Sequence, residues 1–208
     1  METTISEESP FGSFTDPRDG HVYRTVRIGE QVWMAENLDY GRFVPFEAGR
    51  EDFPTLAVGD KWYYGNDEAI GAAEGGLYTW EAASESAPPG WHIPSKKEWS
   101  VLVKFIVSRG LPVEEVGKAL KSREGWTGRV GGGTDAYGFN ALPAGMVDWE
   151  GFDYRGEWGH WWMTPEIHPD RFVKGFYEWC SLVGDFHDFH PDGDIVPGCG
   201  YSIRCVKD

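Results

Sequence analysis

The chain has 208 residues and a formal net charge of −15, and aromatic residues make up 15% of it, including 11 tryptophans. This aromatic content is too high for a disordered chain, and the length fits one large domain with a substantial core. The acidic charge argues against nucleic acid and anionic membrane surfaces as partners, because both attract basic proteins.

No apolar stretch approaches the roughly 20 residues that a membrane-spanning helix needs, so we predict no membrane insertion by this chain. Residues 1–10 are polar and acidic, and they lack the basic start and apolar stretch of a signal peptide. We predict a flexible leader over residues 1–10 and a single domain over residues 11–208.

Alternating residues near the N-terminus predict a β-hairpin. Residues 22–28 alternate apolar and polar side chains, and residues 31–34 follow after a turn at Gly29 and Glu30. Residues 41–75 are predicted to be irregular, because glycine and proline are scattered there among aromatic residues.

Two helices are predicted in the middle of the chain. The first begins at Ser95, which forms a capping box with Glu98, and it ends at Gly110. The second begins at Pro112. The residues expected to face inward are Trp99, Leu102, Val103 and Ile106 in the first helix, and Val113, Val116 and Leu120 in the second.

The last third of the chain shows no helical pattern. From Gly125 onward, short aromatic segments alternate with glycine, proline and aspartate, which is typical of a loop-rich antiparallel β structure. An N-terminal β-hairpin, two helices and a loop-rich β half indicate the α+β class.

Several motifs follow one another along the chain. They are FTDPRDG at residues 14–20, WMAENL at 33–38, GWHIPS at 90–95, ALPAG at 141–145 and GYSIRCVKD at 200–208. This series resembles the Fibrobacter succinogenes major paralogous domain family over nearly the whole chain from Phe11. The resemblance implies a bacterial cell-surface or secreted protein with a C-type-lectin-like fold, although a fold does not determine a function.

Three cysteines, Cys180, Cys199 and Cys205, leave at least one free thiol or an intermolecular disulfide. The family often has a cysteine at the position where this chain has Ala87. That family cysteine would be the natural partner of Cys205. Cys205 is therefore either reduced and buried, or paired with one of the other two. We hypothesise a Cys180–Cys199 disulfide, because both residues lie in one loop-rich stretch.

The cysteines also suggest an alternative function, that of an enzyme. Formylglycine-generating oxidases share a C-type-lectin-like fold and use two C-terminal cysteines, which Cys199 and Cys205 would represent here. We predict that the protein is not an enzyme, because no further nucleophile or base accompanies this pair.

An acidic stretch near the C-terminus is a possible metal site. It contains Asp185, His187, Asp188, His190, Asp192 and Asp194. Calcium binds several oxygen ligands in a loop, so a calcium-assisted carbohydrate-binding domain is an alternative function, with Asp192 and Asp194 as ligands. The spacing fits no EF-hand, and a solvated acidic loop is the simpler interpretation, so we predict no required cofactor.

Aromatic residues are concentrated in the same third of the chain, where five of the 11 tryptophans lie between residues 149 and 179. Sugar rings and protein surfaces both pack on exposed aromatic faces. Adjacent strand residues face opposite sides, so one of Trp161 and Trp162 is predicted to be exposed. The predicted contact residues are Trp149, Tyr154, Trp158, His160, Trp162, Tyr177, Trp179, Asp185, His187, Asp188, Phe189 and His190.

Residues 180–200 contain no Lys, Glu, Gln, Met or Trp, and every residue there can be encoded by a codon ending in a pyrimidine. Diversity-generating retroelements, which mutate adenines near the end of C-type-lectin-like proteins, produce such an alphabet. We hypothesise a hypervariable binding surface; chance composition of an aspartate- and glycine-rich loop is the alternative. A nearby template repeat that differs only at adenines would support the hypothesis, and its absence would remove it.

These observations predict a ligand-binding module that recognises a protein or glycan on another surface through residues 149–198. Rigid scaffolds commonly carry such sites on their loops. The tryptophans and the phenylalanine expected in the core are Trp33, Trp91, Trp99, Trp126 and Phe139.

Overall fold

The computed structural model describes residues 9–49, 55–127, 129, 131–165, 177–183, 189–195 and 198–208. The predicted leader lies outside these residues except for Ser9 and Pro10. The strands in chain order are β1 (Phe11–Thr15), β2 (Val22–Ile28), β3 (Gln31–Met34), β4 (Arg42–Phe43), β5 (Asp60–Lys61), β6 (Trp91–His92), β7 (Met146–Val147), β8 (Phe152–Asp153), β9 (Trp158–Met163), β10 (Tyr177–Val183), β11 (Phe189–Ile195) and β12 (Val206–Lys207). The α-helices are α1 (Glu68–Glu74), α2 (Trp80–Ala83), α3 (Lys96–Ser108) and α4 (Val116–Leu120).

The first sheet forms around the predicted hairpin of β2 and β3, which is confirmed. Its strand order is β1-β2-β3-β12-β6, so the closing strand joins the hairpin to β6. The hairpin turn requires glycine at Gly29, where φ is 63° and a Cβ atom would lie 2.8 Å from the ring of Phe105. This close approach fixes α3 against the hairpin.

Helix α3 begins with the predicted capping box. The hydroxyl oxygen of Ser95 accepts a hydrogen bond from the Glu98 amide at 3.4 Å, and the Glu98 carboxylate accepts one from the Ser95 amide at 2.8 Å. The residues that α3 buries are Trp99, Leu102 and Ile106.

The second predicted helix is divided into two parts. Val113–Glu115 forms a 3₁₀ turn, and α4 follows it. Val116 and Leu120 are buried as predicted, but Val113 is 60% exposed, so its predicted inward position is wrong. Residues 112–114 are all exposed, because this first turn extends beyond the edge of the core.

Residues 41–75, which the sequence predicts to be irregular, contain helix α1. Asp67 caps it, accepting hydrogen bonds from the amides of Ala69 at 2.8 Å and Ile70 at 3.3 Å. The irregular prediction is therefore wrong for this segment. The helix is only 7 residues long, which is too short for a clear apolar period to appear in the sequence.

Strands β9, β10 and β11 form a second antiparallel sheet, in the order β11-β10-β9. Trp161 and Trp162 on β9 face opposite sides, but both are buried, at 0% and 1% exposure. The prediction that one of them is exposed is wrong, because β9 lies between two apolar clusters. Trp161 packs near Trp99 in one cluster, and Trp162 packs against Tyr201 in the other.

The five predicted core aromatics are all buried, which confirms that prediction. The mixture of mostly antiparallel sheets with the four α-helices of the described residues makes the protein α+β, as predicted. Within the described ranges, no helix is both long and apolar enough to cross a bilayer.

Candidate functional site

Four aromatic rings meet on one side of β9 and form what we name the His160 cluster: Trp158, His160, Trp179 and Tyr201. The His160 ring lies nearly parallel to the rings of Trp158, at a centroid distance of 5.4 Å and 10°, and Tyr201, at 4.9 Å and 21°. Trp179 contacts the same ring at 4.9 Å and 65°. Strand β10 supplies Trp179 because the register pairs Ser181 with His160 and brings Trp179 beside it on the same sheet.

Three polar atoms of this cluster are buried and unpaired among the described residues. His160 is 4% exposed, and neither its Nδ1 nor its Nε2 has a hydrogen-bond partner in the part of the chain that the structure describes. The Trp179 Nε1 is also without a partner there. An unpaired buried polar group costs about 1–3 kcal/mol of stability. These three nitrogen atoms would therefore gain from contact with a polar ligand group.

Burial also determines the charge of the site. It lowers the pKa of His160 to about 3, so the imidazole is neutral at physiological pH. A neutral imidazole offers one N–H donor and one acceptor nitrogen, and an indole offers one N–H donor. The unpaired atoms of the His160 cluster thus provide two donors and one acceptor at an uncharged aromatic site.

Tyr154 extends the cluster to the solvent. It is 42% exposed, and its ring lies 5.6 Å from that of Trp158, which is itself partly buried. Tyr154 has a positive φ of 61°, a conformation that few residues other than glycine adopt. Its carbonyl oxygen accepts hydrogen bonds from the amides of Glu157 and Trp158, which hold this turn. Aromatic rings therefore connect the surface to His160.

Trp162, a predicted contact residue, is in the core instead. It is 1% exposed, and its indole N–H donates to the carbonyl oxygen of Tyr78 at 2.7 Å. Its burial removes it from any contact surface, because the Tyr78 segment covers the Trp162 ring itself. Trp149 is 45% exposed on the turn between β7 and β8.

The remaining predicted contact residues belong to the β10–β11 region or lie outside the described residues. Tyr177 lies on β10, and Phe189, His190, Asp192 and Asp194 lie on β11. The register places Ser181 between His160 and His190 in neighbouring strands. Asp185, His187 and Asp188 lie outside the described residues. The roles of all these residues stay predictions.

Within the described ranges, no group of three or more His, Cys, Asp or Glu side chains is arranged to hold a metal ion. The calcium interpretation depends on Asp192 and Asp194, and it also stays a prediction.

All three cysteines are free and buried, so the predicted Cys180–Cys199 disulfide is not formed. Its two members pack in different apolar clusters. Burial raises the pKa of Cys199 and of Cys205 to about 12, and it raises the pKa of Cys180 as well. These thiols are therefore protonated at neutral pH.

The motifs that open and close the chain meet in a buried network. Asn37 Oδ1 accepts hydrogen bonds from Arg204 Nη2 at 2.7 Å and Trp161 Nε1 at 2.9 Å. Arg204 also donates to the carbonyl oxygens of Phe139 at 2.6 Å and Met34 at 3.3 Å. Burial lowers the pKa of Arg204 to about 9, which still leaves it protonated. This network accounts structurally for the WMAENL and SIRC segments.

The GWHIPS motif forms a second polar network. His92 lies between two carboxylates, with Nδ1 2.7 Å from Asp208 and Nε2 2.6 Å from Glu98. Partial burial opposes protonation, but the hydrogen bonds to both carboxylates raise the pKa of His92 overall. Ser95 donates to Glu98 and not to His92. A serine, a histidine and two acids thus converge without forming a nucleophile–base pair.

Tyr201 is the member of the His160 cluster that sequence reasoning did not identify. It belongs to the closing motif, far from β9 along the chain, and no spacing rule connects the two. The adjacent Ser202 exchanges backbone hydrogen bonds with His160 and Trp162 on β9, which brings the Tyr201 ring beside His160.

The family model of the Fibrobacter succinogenes major domain matches residues 26–207. The chain belongs to this family, which confirms the resemblance of its motifs. The matched range contains both the His160 cluster and the Asn37–Arg204 network. The search of curated proteins and the search of solved structures returned no match.

Proposed function

We propose that this member of the Fibrobacter succinogenes major domain family is a non-enzymatic ligand-binding module whose contact site is the His160 cluster with Tyr154 at its rim. The observation that carries the proposal is the unpaired imidazole of His160 inside an aromatic cluster. A ligand that bonds to this ring would supply hydrogen bonds that the described part of the fold leaves unmade.

The rim supports the same proposal. Tyr154 and Trp158 offer aromatic faces that reach the solvent, and aromatic side chains provide large contact areas at low entropic cost. Strands β9 and β10 hold the cluster on regular secondary structure, which positions a site more accurately than a loop does. These features support a role of the site in recognition.

Burial of the cysteines does not favour the oxidase alternative. A cysteine nucleophile or metal ligand reacts as its thiolate, whereas the pKa of Cys199 and of Cys205 is raised to about 12. A recognition function explains why the aromatic residues Tyr154 and Trp158 reach the solvent, whereas the oxidase alternative does not explain it.

The finer parts of the proposal come from the motifs and the composition. They are a C-type-lectin-like scaffold, a location on the bacterial cell surface or in the secreted fraction, and a protein or glycan ligand. The restricted alphabet of residues 180–200 supports variation of the contact surface, since β10 and β11 lie beside the His160 cluster.

Binding measurements with rim variants test the proposal. The wild-type protein is screened on a glycan array and on an array of purified bacterial surface proteins. The double variant Tyr154→Ala/Trp158→Ala should bind each ligand of the wild type at least about tenfold more weakly, equivalent to about 1.4 kcal/mol. This loss of affinity should follow from the removal of two aromatic faces while the core stays intact.

Phe11→Ala is the matched control, because Phe11 is 62% exposed but lies on β1 in the other sheet. It should bind like the wild type. The proposal is wrong if the wild type binds nothing on either array, or if the double variant retains full affinity.

A further inference from the structure

We infer that the His160 cluster binds a neutral saccharide, with sugar hydroxyl groups bonded to the imidazole of His160 and the indole N–H of Trp179. This inference rests on the function proposed above and specifies the chemical class of its ligand.

The hydrogen-bonding capacity of the site selects this class. The unpaired atoms provide two N–H donors and one acceptor nitrogen, because His160 is buried and neutral. A carboxylate or a phosphodiester only accepts hydrogen bonds, so it would leave the acceptor nitrogen unpaired. An ammonium group only donates, so it would leave both N–H groups unpaired. A hydroxyl group both donates and accepts, and neighbouring sugar hydroxyls can pair all three atoms.

The walls of the site suit the same ligand. The apolar face of a sugar ring packs on aromatic side chains, and Tyr154 and Trp158 present such faces next to His160. Tyr201 is 1% exposed, whereas Trp158 and Trp179 are only partly buried. Among the described members of the cluster, these two indoles therefore mark the side from which a ligand approaches.

Charge completes the argument. No member of the His160 cluster is ionised at neutral pH, and the whole chain carries a net charge of −15, which disfavours acidic saccharides. The three nitrogen atoms act without a metal ion, so binding should persist when calcium is removed. This property separates the inference from the calcium-assisted alternative on Asp192 and Asp194.

Titration with defined saccharides tests the inference. The wild-type protein is titrated in EDTA with hexasaccharides of glucose, xylose, mannose and galactose, and with a galacturonic acid oligomer and a glucosamine oligomer as charged counterparts. Tryptophan fluorescence and calorimetry report binding, and the ¹⁵N resonances of the His160 ring report direct contact. At least one neutral hexasaccharide should bind and shift these resonances, and the charged oligomers should bind at least about tenfold more weakly, equivalent to about 1.4 kcal/mol.

Two variants remove the polar atoms one residue at a time. His160→Phe keeps a flat ring but removes the donor and the acceptor, so it should weaken saccharide binding at least about tenfold. Trp179→Phe removes only the indole N–H among the polar atoms and should weaken binding by a smaller factor. Phe11→Ala should leave the affinity unchanged. If His160→Phe does not fold, Trp179→Phe and the ¹⁵N shifts of the wild type decide the test.

The inference is overturned if no neutral saccharide binds, if binding requires calcium, or if His160→Phe and Trp179→Phe bind as tightly as the wild type. In the last case the buried nitrogens hold only a structural water. A protein ligand that depends on Tyr154 and Trp158, without any saccharide binding, would overturn the inference and leave the proposed function standing. If neither array yields a ligand, both fail.

Discussion

Two groups of buried polar side chains in this molecule, one around Arg204 and one around His160, differ in how completely they are hydrogen-bonded. Where the signature motifs meet, Arg204 and Asn37 bond to each other, and Arg204 also bonds to backbone carbonyl oxygens. On the side of β9 that carries His160, the imidazole nitrogens and the Trp179 N–H have no partner among the described residues.

Under the proposed function, this difference distinguishes residues that stabilise the fold from residues that would contact a ligand. A fully bonded network stabilises one arrangement of the chain, and the Asn37–Arg204 network joins the first sheet to β9 in this way. An unpaired polar group lowers stability, so its presence inside a cluster of large rings needs another explanation. Contact with a ligand provides one, and it also explains the aromatic path to the surface.

The largest effect is expected from breaking the bonded network. Arg204→Met keeps most of the side-chain volume but leaves the carbonyl oxygens of Phe139 and Met34 without their buried donor. We expect a loss of about 4 kcal/mol in the free energy of unfolding, measured by urea denaturation, because removing one partner leaves the others buried and unpaired.

Arg24→Met is the control for that variant. It removes an ion pair with Glu36, but the Arg24 side chain is 63% exposed, so the loss should stay below about 1 kcal/mol. Comparable losses in both variants would contradict the structural role assigned to the Asn37–Arg204 network.

Replacing the unpaired imidazole of His160 should raise the stability of the protein, whereas replacing Arg204 should lower it. The pKa of His160 is lowered to about 3 from 6.5, so between these values the unfolded chain binds a proton that the folded protein does not. Stability is therefore lost as the pH falls from 6.5 towards 3. His160→Phe should remove this loss, and at pH 4 it should be more stable than the wild type by roughly 3 kcal/mol.

Urea denaturation of both proteins at pH 7 and pH 4 measures this difference. At pH 7 the variant should be equal to the wild type or slightly more stable, because an unpaired polar ring is replaced by an apolar one. An equal response of both proteins to acid would show that His160 is not buried and neutral in solution.

Local patterns made part of this structure predictable. The capping box of Ser95 and Glu98 and the alternation in β2 both depend on neighbouring residues, and the structure contains both. Strand β1 was not predicted, because it is mostly exposed and carries no apolar alternation. It forms through pairing with β2, which is a contact between segments rather than a property of either one.

The candidate site was only partly predictable for the same reason. Trp158, His160 and Trp179 were identified from aromatic clustering, and Tyr154 from its position beside them. Whether Trp161 or Trp162 is exposed depends on what covers each side of β9, which no pattern within β9 contains. The unpaired state of His160 likewise depends on distant segments, because Tyr201 stacks its ring on the imidazole and does not hydrogen-bond to it.

The smallest expected effect comes from changing His92, which, unlike His160, is hydrogen-bonded to two carboxylates. The pKa of His92 is raised by its hydrogen bonds to Asp208 and Glu98, against the opposing effect of partial burial. Its stabilisation is therefore complete below the unfolded pKa near 6.5 and is lost as the pH rises through the folded pKa. His92→Ala should destabilise the protein by about 1 kcal/mol or less at pH 5, since solvent screens a side chain that is 40% exposed, and by less still at pH 9.

Urea denaturation at both pH values measures this change, and Asp208→Asn should reproduce part of it because it removes one of the two carboxylates. Equal losses of unfolding free energy at pH 5 and pH 9 would mean that His92 stabilises the protein through packing alone. The contrast between a carboxylate-bonded and an unpaired histidine would then rest on His160.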